Sequence, residues 1–277
     1  MTAAMLAVVS CSRYELASVD EVINGQEPSL EAVGDAVTSV VFNVPEIGYV
    51  ADEADTRAGV KRTETSTGFI WEATDTVGIY PDSGSQIYWS MEKGAGTNTA
   101  TFNGGAWALK PSSSYMCYYP FIPDYYLRRD RIPASFVGQV QHGTESFTGA
   151  RFFLVADGET TEDGSLRFEF SVLNTIINVI ATLPPGTYTK ISITAPEDLF
   201  VSEGTYSIDS KSITGGTFSN TLSIYLEDVT LESIETIHVY LMSAPVDLKD
   251  KQIVVSAYKS DGEVLTCEKT PSKTYAA

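Results

Sequence analysis

Residues 68–81 read GFIWEATDTVGIYP. Two short runs, GFIWEA (68–73) and TVGIYP (76–81), are apolar, aromatic and β-branched, and Thr74 and Asp75 divide them. Residues of that kind suit a pleated, half-buried surface, and runs of this length bounded by turn formers read as strands. PDSGS (81–85) then supplies Pro, Asp and Gly for a turn. QIYWSM (86–91) alternates, EKGAGTNT (92–99) is a loop, and ATFNGG (100–105) and WAL (107–109) are short strands. KPSSS (110–114) is a turn, and YMCYYPF (115–121) reads as a buried aromatic strand.

The same style continues in both directions. VTSVVFNV (37–44) alternates, with Val40, Phe42 and Val44 on one face, and Pro45 ends it. Downstream come RFFLVADG (151–158), LRFEFS (166–171), TIINVIATL (175–183), KISITAP (190–196), SIYLED (223–228) and TIHVYLM (236–242). QIVVSAYKSDGEVLTCEK (252–269) contains a hairpin at Ser260-Asp261-Gly262. Sustained helical periodicity is absent after residue 35; DVTLESIETI (228–237) has room for a turn or two of helix. Many short strands separated by turn signals predict an all-β chain built as sandwiches. A chain of 277 residues suffices for two such domains. The division is expected near residue 165, within TEDGSLRFEFSVLN (161–174), where no Pro/Ser-rich linker stands, so the two domains are expected to pack closely.

Apolar residues make up 43% and charged residues 19%, a core-forming composition. Asp and Glu number 36 against 18 Lys and Arg, a formal charge of −18. Nucleic acid is excluded as a partner by that balance, because phosphate recognition needs clustered cations.

The chain opens MTAAMLAVVSCS, apolar from Ala3 to Val9 with small residues before Cys11. This has the form of a secretory h-region followed by a bacterial lipobox, in which Cys11 is lipidated and becomes the first mature residue. The run is too short to span a bilayer as a helix, which takes about 20 residues, so the expected membrane contact is through lipid alone. Lys or Arg does not precede Ala3, so either the true start lies upstream or the run is an apolar N-terminus and no signal. Residues 1–11 are thus read as signal peptide and lipobox, 12–35 as a polar acidic spacer (with a weak helix over YELASVDEVI as the alternative), 36–165 as an N-terminal sandwich and 166–277 as a C-terminal one.

Catalytic chemistry does not emerge. His142 lies in a polar loop and His238 in an alternating strand, and neither a Ser/His/Asp arrangement nor a G-x-S-x-G elbow is suggested. The carboxylates of ADEAD (51–55) and DGETTEDG (157–164) sit in Gly- and Thr-rich turns and read as solvated loop tips, not as a glycosidase pair; their spacing does not match a calcium loop. No C-x-x-C or Cys/His cluster suggests a metal, and no cofactor is called for. Cys117 and Cys267 are placed in different domains, against a disulfide between them. Most aromatics of SSYMCYYPFIPDYYLRRDR (113–131) are expected in the core, and LRRDR (127–131) is read as a local balance to nearby carboxylates. Exposed tyrosines there, Tyr125 and Tyr126, would suit stacking on sugar rings.

The spacing of Trp71 to Tyr80, Ala100 to Phe102 and Tyr115 to Pro120 resembles the fimbrillin-like, type V pilin-related proteins of Bacteroidales, whose first domain carries W-x-x-x-D-x-[VI]-G-[IV]-Y, then an A-x-F strand and a strand ending Y-P. LPPGTYTKISITAP (183–196) resembles the strand pair of their second domain. The resemblance extends over most of 37–275. It implies two transthyretin-like Greek-key β-sandwich domains in tandem and export as an outer-membrane lipoprotein, beside the non-enzymatic role already expected from the residues. It also implies donor-strand exchange: a protease cuts after a basic residue, the first strand leaves, and a strand of another subunit fills the groove. In this chain the removable strand is VTSVVFNV, its groove plugs are Val40, Phe42 and Val44, and the candidate cleavage residues are Arg57 and Arg62. The implied partners are other fimbrial subunits and host or bacterial surface ligands. The alternative is a surface carbohydrate-binding lipoprotein of a glycan-uptake system, using Tyr125 and Tyr126. The ending CEKTPSKTYAA (267–277) stops where the family commonly runs on through a further strand, so truncated ends of the gene model are expected.

Overall fold

A computed structural model of the chain describes residues 6–10, 32–33, 36–37, 39–43, 59–62, 67–104, 109, 112, 114–124, 126–144, 152–160 and 166–271, with side chains from Trp71 onward. Its strands are, in chain order, β1 (Leu6–Ser10), β2 (Ala32–Val33), β3 (Ala36–Val37), β4 (Ser39–Asn43), β5 (Gly59–Arg62), β6 (Thr67–Ile70), β7 (Thr76–Pro81) and β8 (Ile87–Lys93). There follow β9 (Thr99–Asn103), β10 (Tyr115–Tyr119), β11 (Ile132–Ser135), β12 (Gln139–His142), β13 (Leu154–Thr160), β14 (Leu166–Glu169), β15 (Ser171–Val172) and β16 (Thr175–Leu183). The last are β17 (Gly186–Thr194), β18 (Phe200–Ser207), β19 (Ser212–Ser219), β20 (Thr221–Leu231), β21 (Glu235–Ser243), β22 (Ile253–Lys259) and β23 (Val264–Lys269). Among the described residues there is no helix, so the chain is all-β.

DVTLESIETI shows why. Val229, Leu231, Ile237 and Val239 are buried at every second position on either side of a bend, a period of two and not 3.6. β20 and β21 therefore run through the stretch where a helical turn had room.

The first sheet has the order β10-β7-β8-β9-β4-β14-β13-β15, and β10 also pairs with β13, so it curls until it closes on itself. Closure covers both faces of β7. Val77, Gly78, Ile79 and Tyr80 are consecutively buried, the pattern of a strand packed on two sides. Two further sheets, β1-β16-β21 and β12-β20-β17-β22-β23, bury alternate residues: Ile177, Val179 and Ala181 in one, Ile191, Ile193, Ile224 and Val255 in the other. A third is β11-β18-β19, and β2-β3 and β5-β6 form two-stranded sheets; the buried side chains from Trp71 to Ala257 form one continuous core. Pairing crosses residue 165 in both directions. β11 and β12 pair with β18 and β20, while β14 and β15 pair with β13.

β12 joins two sheets by different means. Its main chain runs parallel to β20. Its side chains Gln139 and Gln141, both buried, reach the edge of β21 instead. Gln139 accepts from Met242 N–H (2.6 Å) and donates to Met242 O (2.8 Å), and Gln141 accepts from Tyr240 N–H (3.0 Å) and donates to His238 O (2.8 Å). Two amides thus satisfy an edge that would otherwise present open donors and acceptors.

Candidate functional site

The motif of residues 71–80 is a structural device whose residues can be assigned one by one. Trp71 is buried with edge-on contacts to Phe102, Tyr119 and Phe170. Asp75, also buried, accepts from Glu72 N–H (2.8 Å) and from Tyr119 Oη (2.9 Å), so it closes the turn and ties it to β10. Gly78 lies beneath the Tyr118 ring, whose atoms occupy the place of any Cβ. Tyr80 donates to Leu127 O at 2.7 Å.

These tyrosines hold the segment after β10. Tyr118 donates to Gln86 Oε1 and accepts from Ile122 N–H at 3.1 Å; Gln86 Nε2 donates to Ile122 O (2.9 Å) and Asp124 O (2.6 Å). Burial pushes the phenols of Tyr80, Tyr118 and Tyr206 well above the ordinary tyrosine value. Of the aromatics, Tyr115, Tyr118 and Tyr119 are in the core and Phe121 is half-buried, whereas Tyr126 is 86% exposed. Tyr125 lies outside the described residues. Arg128 pairs with Asp130 (2.6 Å) and Arg129 with Asp209 (3.1 Å), a local balance of charge.

The segment read as a removable strand contains β4. It is not an edge strand: it lies between β9, to which it is antiparallel, and β14, to which it is parallel. Val40 and Phe42 are register partners of Phe102 and Ala100, and Phe42 is also the partner of Phe168; these three partners are buried. Val44 and Arg57 lie outside the described residues. Arg62 ends β5, its main chain paired with Thr67 of β6. Cys11 is also outside them, and Leu6–Ser10, within the export-like run, pair antiparallel with Asn178–Thr182 of β16.

The remaining candidates stay apart. His142 Nδ1 is 3.1 Å from Glu227, and Asp157 is paired with Lys211 at 2.6 Å. Among the described residues no group of three His, Cys, Asp or Glu could hold a metal ion. Cys117 is buried and Cys267 half-buried, and both are free thiols. Burial raises the Cys117 thiol well above its usual range. No helix among the described residues is long and apolar enough to cross a membrane. Comparison with known proteins finds no matching family model, no matching curated protein and no matching solved structure.

Proposed function

We propose that this chain is a non-enzymatic fimbrial or adhesin subunit of the fimbrillin type. On this reading it comprises two transthyretin-like Greek-key sandwiches in tandem and is exported as a lipoprotein through Cys11. It stands at the outer membrane and cell surface, and it assembles with other fimbrial subunits by donor-strand exchange. The observation that carries the reading is the position of β4. A strand with a neighbour on each side leaves two rows of unpaired N–H and C=O groups when it departs. The walls of that slot carry the buried Ala100, Phe102, Leu166 and Phe168. An extended strand from another subunit restores both the hydrogen bonds and the apolar contacts. Arg57 and Arg62 both fall between β4 and β6, where a cut releases β4 from the rest of the chain.

The test is the N-terminus of the protein taken from native outer membranes, read by mass spectrometry, with polymer survival in heated detergent as the companion measurement. A start at Ala58 or Thr63 together with resistant polymers is the expected result. A chain intact from a lipid-bearing Cys11 through Arg62, and monomeric, overturns the assembly reading. The second reading, a glycan-uptake lipoprotein, draws on the 86% exposure of Tyr126 on a segment anchored by Tyr80 and Tyr118. It expects a monomer that loses glycan affinity in Tyr126→Ala.

A further inference from the structure

The five-stranded sheet β12-β20-β17-β22-β23 has one face in the core and one facing outward. The strand registers place Val140, Tyr225, Lys190, Tyr258 and Val264 side by side, one from each strand, in a row across the outward face. Tyr225 is 53% and Val264 45% exposed, and the other three are half-buried. A bulge in β17 between Tyr188 and Lys190 makes the row. It adds one residue to the alternation, so that Tyr188 and Ile191 are both buried while Thr189 and Lys190 are both on the open side.

Lys190 sits between the two tyrosines. Its Nζ is 3.8 Å from the centre of the Tyr258 ring, and the Tyr258 hydroxyl accepts from Ser192 Oγ at 3.4 Å. Among the described residues no carboxylate stands within 4.0 Å of this ammonium, in a chain with 36 acidic side chains to 18 basic ones. The cation is held on an aromatic face and kept open to solvent, not neutralised. In the neighbouring register row Ser192 and Ser256 are buried, while Ser223 is half-buried and Thr266 exposed, and beyond it the half-buried Thr194 and Thr221 share a hydrogen bond at 3.1 Å.

We propose that this face is a binding platform for acidic glycans. Tyr225 offers a flat apolar ring to the C–H face of a pyranose. Lys190 takes the carboxylate or sulfate that the sugar carries, and the exposed Thr266 with the half-buried Ser223, Thr194 and Thr221 meets its ring hydroxyls. Tyr225 and Tyr258 are two strands apart, about 10 Å from the usual strand spacing, so the row spans more than one sugar unit. A cationic ligand is disfavoured by Lys190. The platform is independent of subunit assembly and of Tyr126.

The probes are hexasaccharides of hyaluronan (carboxylates alone), of chondroitin sulfate (carboxylates and sulfates) and of maltose (neutral), titrated calorimetrically into the full chain. Both acidic hexasaccharides are expected to bind and the neutral one to bind at least about tenfold more weakly, the worth of one charge-assisted contact. Binding of one acidic probe alone identifies which anionic group Lys190 takes. Lys190→Gln is expected to bring the acidic probe down to the neutral level, and Tyr225→Ser to weaken both. Both substitutions are on the open face, and an unchanged unfolding midpoint shows that the fold is retained. The proposal is overturned if neither acidic probe binds, if maltohexaose binds as well as they do, or if binding survives Tyr225→Ser unchanged.

Discussion

The side-chain amide of Gln139 pairs with both main-chain groups of Met242, at 2.6 and 2.8 Å, as a neighbouring strand would. Gln141 repeats the arrangement one step along, at Tyr240 and His238. Four polar groups of β21 are satisfied this way, inside a core where water does not replace a lost partner.

Gln139→Leu keeps the volume and removes both bonds to Met242, together with the one donated to Phe136 O at 2.8 Å. It leaves Met242 N–H and C=O unpaired in the interior and is expected to cost about 3 kcal/mol. Gln139→Glu retains the acceptor and loses the donor toward Met242 O. Urea unfolding should rank wild type above both, and equal midpoints for all three would show that β21 does not depend on the staple.

Gly78→Ala places a methyl group into the Tyr118 ring. Overpacking of that kind costs about 1–3 kcal/mol or more. A large fall in the thermal midpoint is expected, with partial recovery in the double variant Gly78→Ala, Tyr118→Leu. A double variant no better than the single one would place the penalty elsewhere than in the ring.

Alkaline pH should weaken the fold. Tyr80, Tyr118 and Tyr206 have their pKa values raised above 10.0, chiefly by burial, so the folded chain holds these protons more tightly than the unfolded one. Their contribution is complete below pH 10 and is lost as pH rises past it, because folded and unfolded states then bind different numbers of protons. Denaturation at a series of pH values, followed with tyrosinate absorbance, should show stability falling above pH 10 and these phenols ionising late, together with unfolding.

The thiols should separate by burial. In a Cys11→Ser chain, Cys267 is expected to react readily with a disulfide reagent and Cys117 only on unfolding, since Cys117 is buried and its thiolate is disfavoured. Two equally fast thiols would mean that the curled sheet opens at β10.

Much of the strand pattern is legible in the linear sequence. The 68–81 stretch announces two strands and a turn because short-range chemistry makes them: Asp75 closes the turn within three residues of Glu72. The Ser260-Asp261-Gly262 hairpin is likewise local, with Gly262 at a φ of 93°. What the sequence hides is pairing between distant strands. The link of β12 to both β20 and β21 depends on two glutamines that look like ordinary polar loop residues. Lys190, Tyr225 and Tyr258 are scattered along the chain, and only the register of three strands sets them in a row. The closing of the first sheet, by β10 on β13, leaves no local signature either.

The parallel partner of β4 is β14, which lies in the far half of the chain. Such a contact is slow to form, because the long intervening loop must be closed before the pairing repays it. A chain emerging in order can pair β4 with β9 early, but its second ladder waits for β14. The interactions of β4 that mature last are those that stabilise the finished fold against unfolding more than they speed its formation. On that order of events, the β4–β14 ladder is expected to bear more on how slowly the closed sheet unfolds than on how fast it forms.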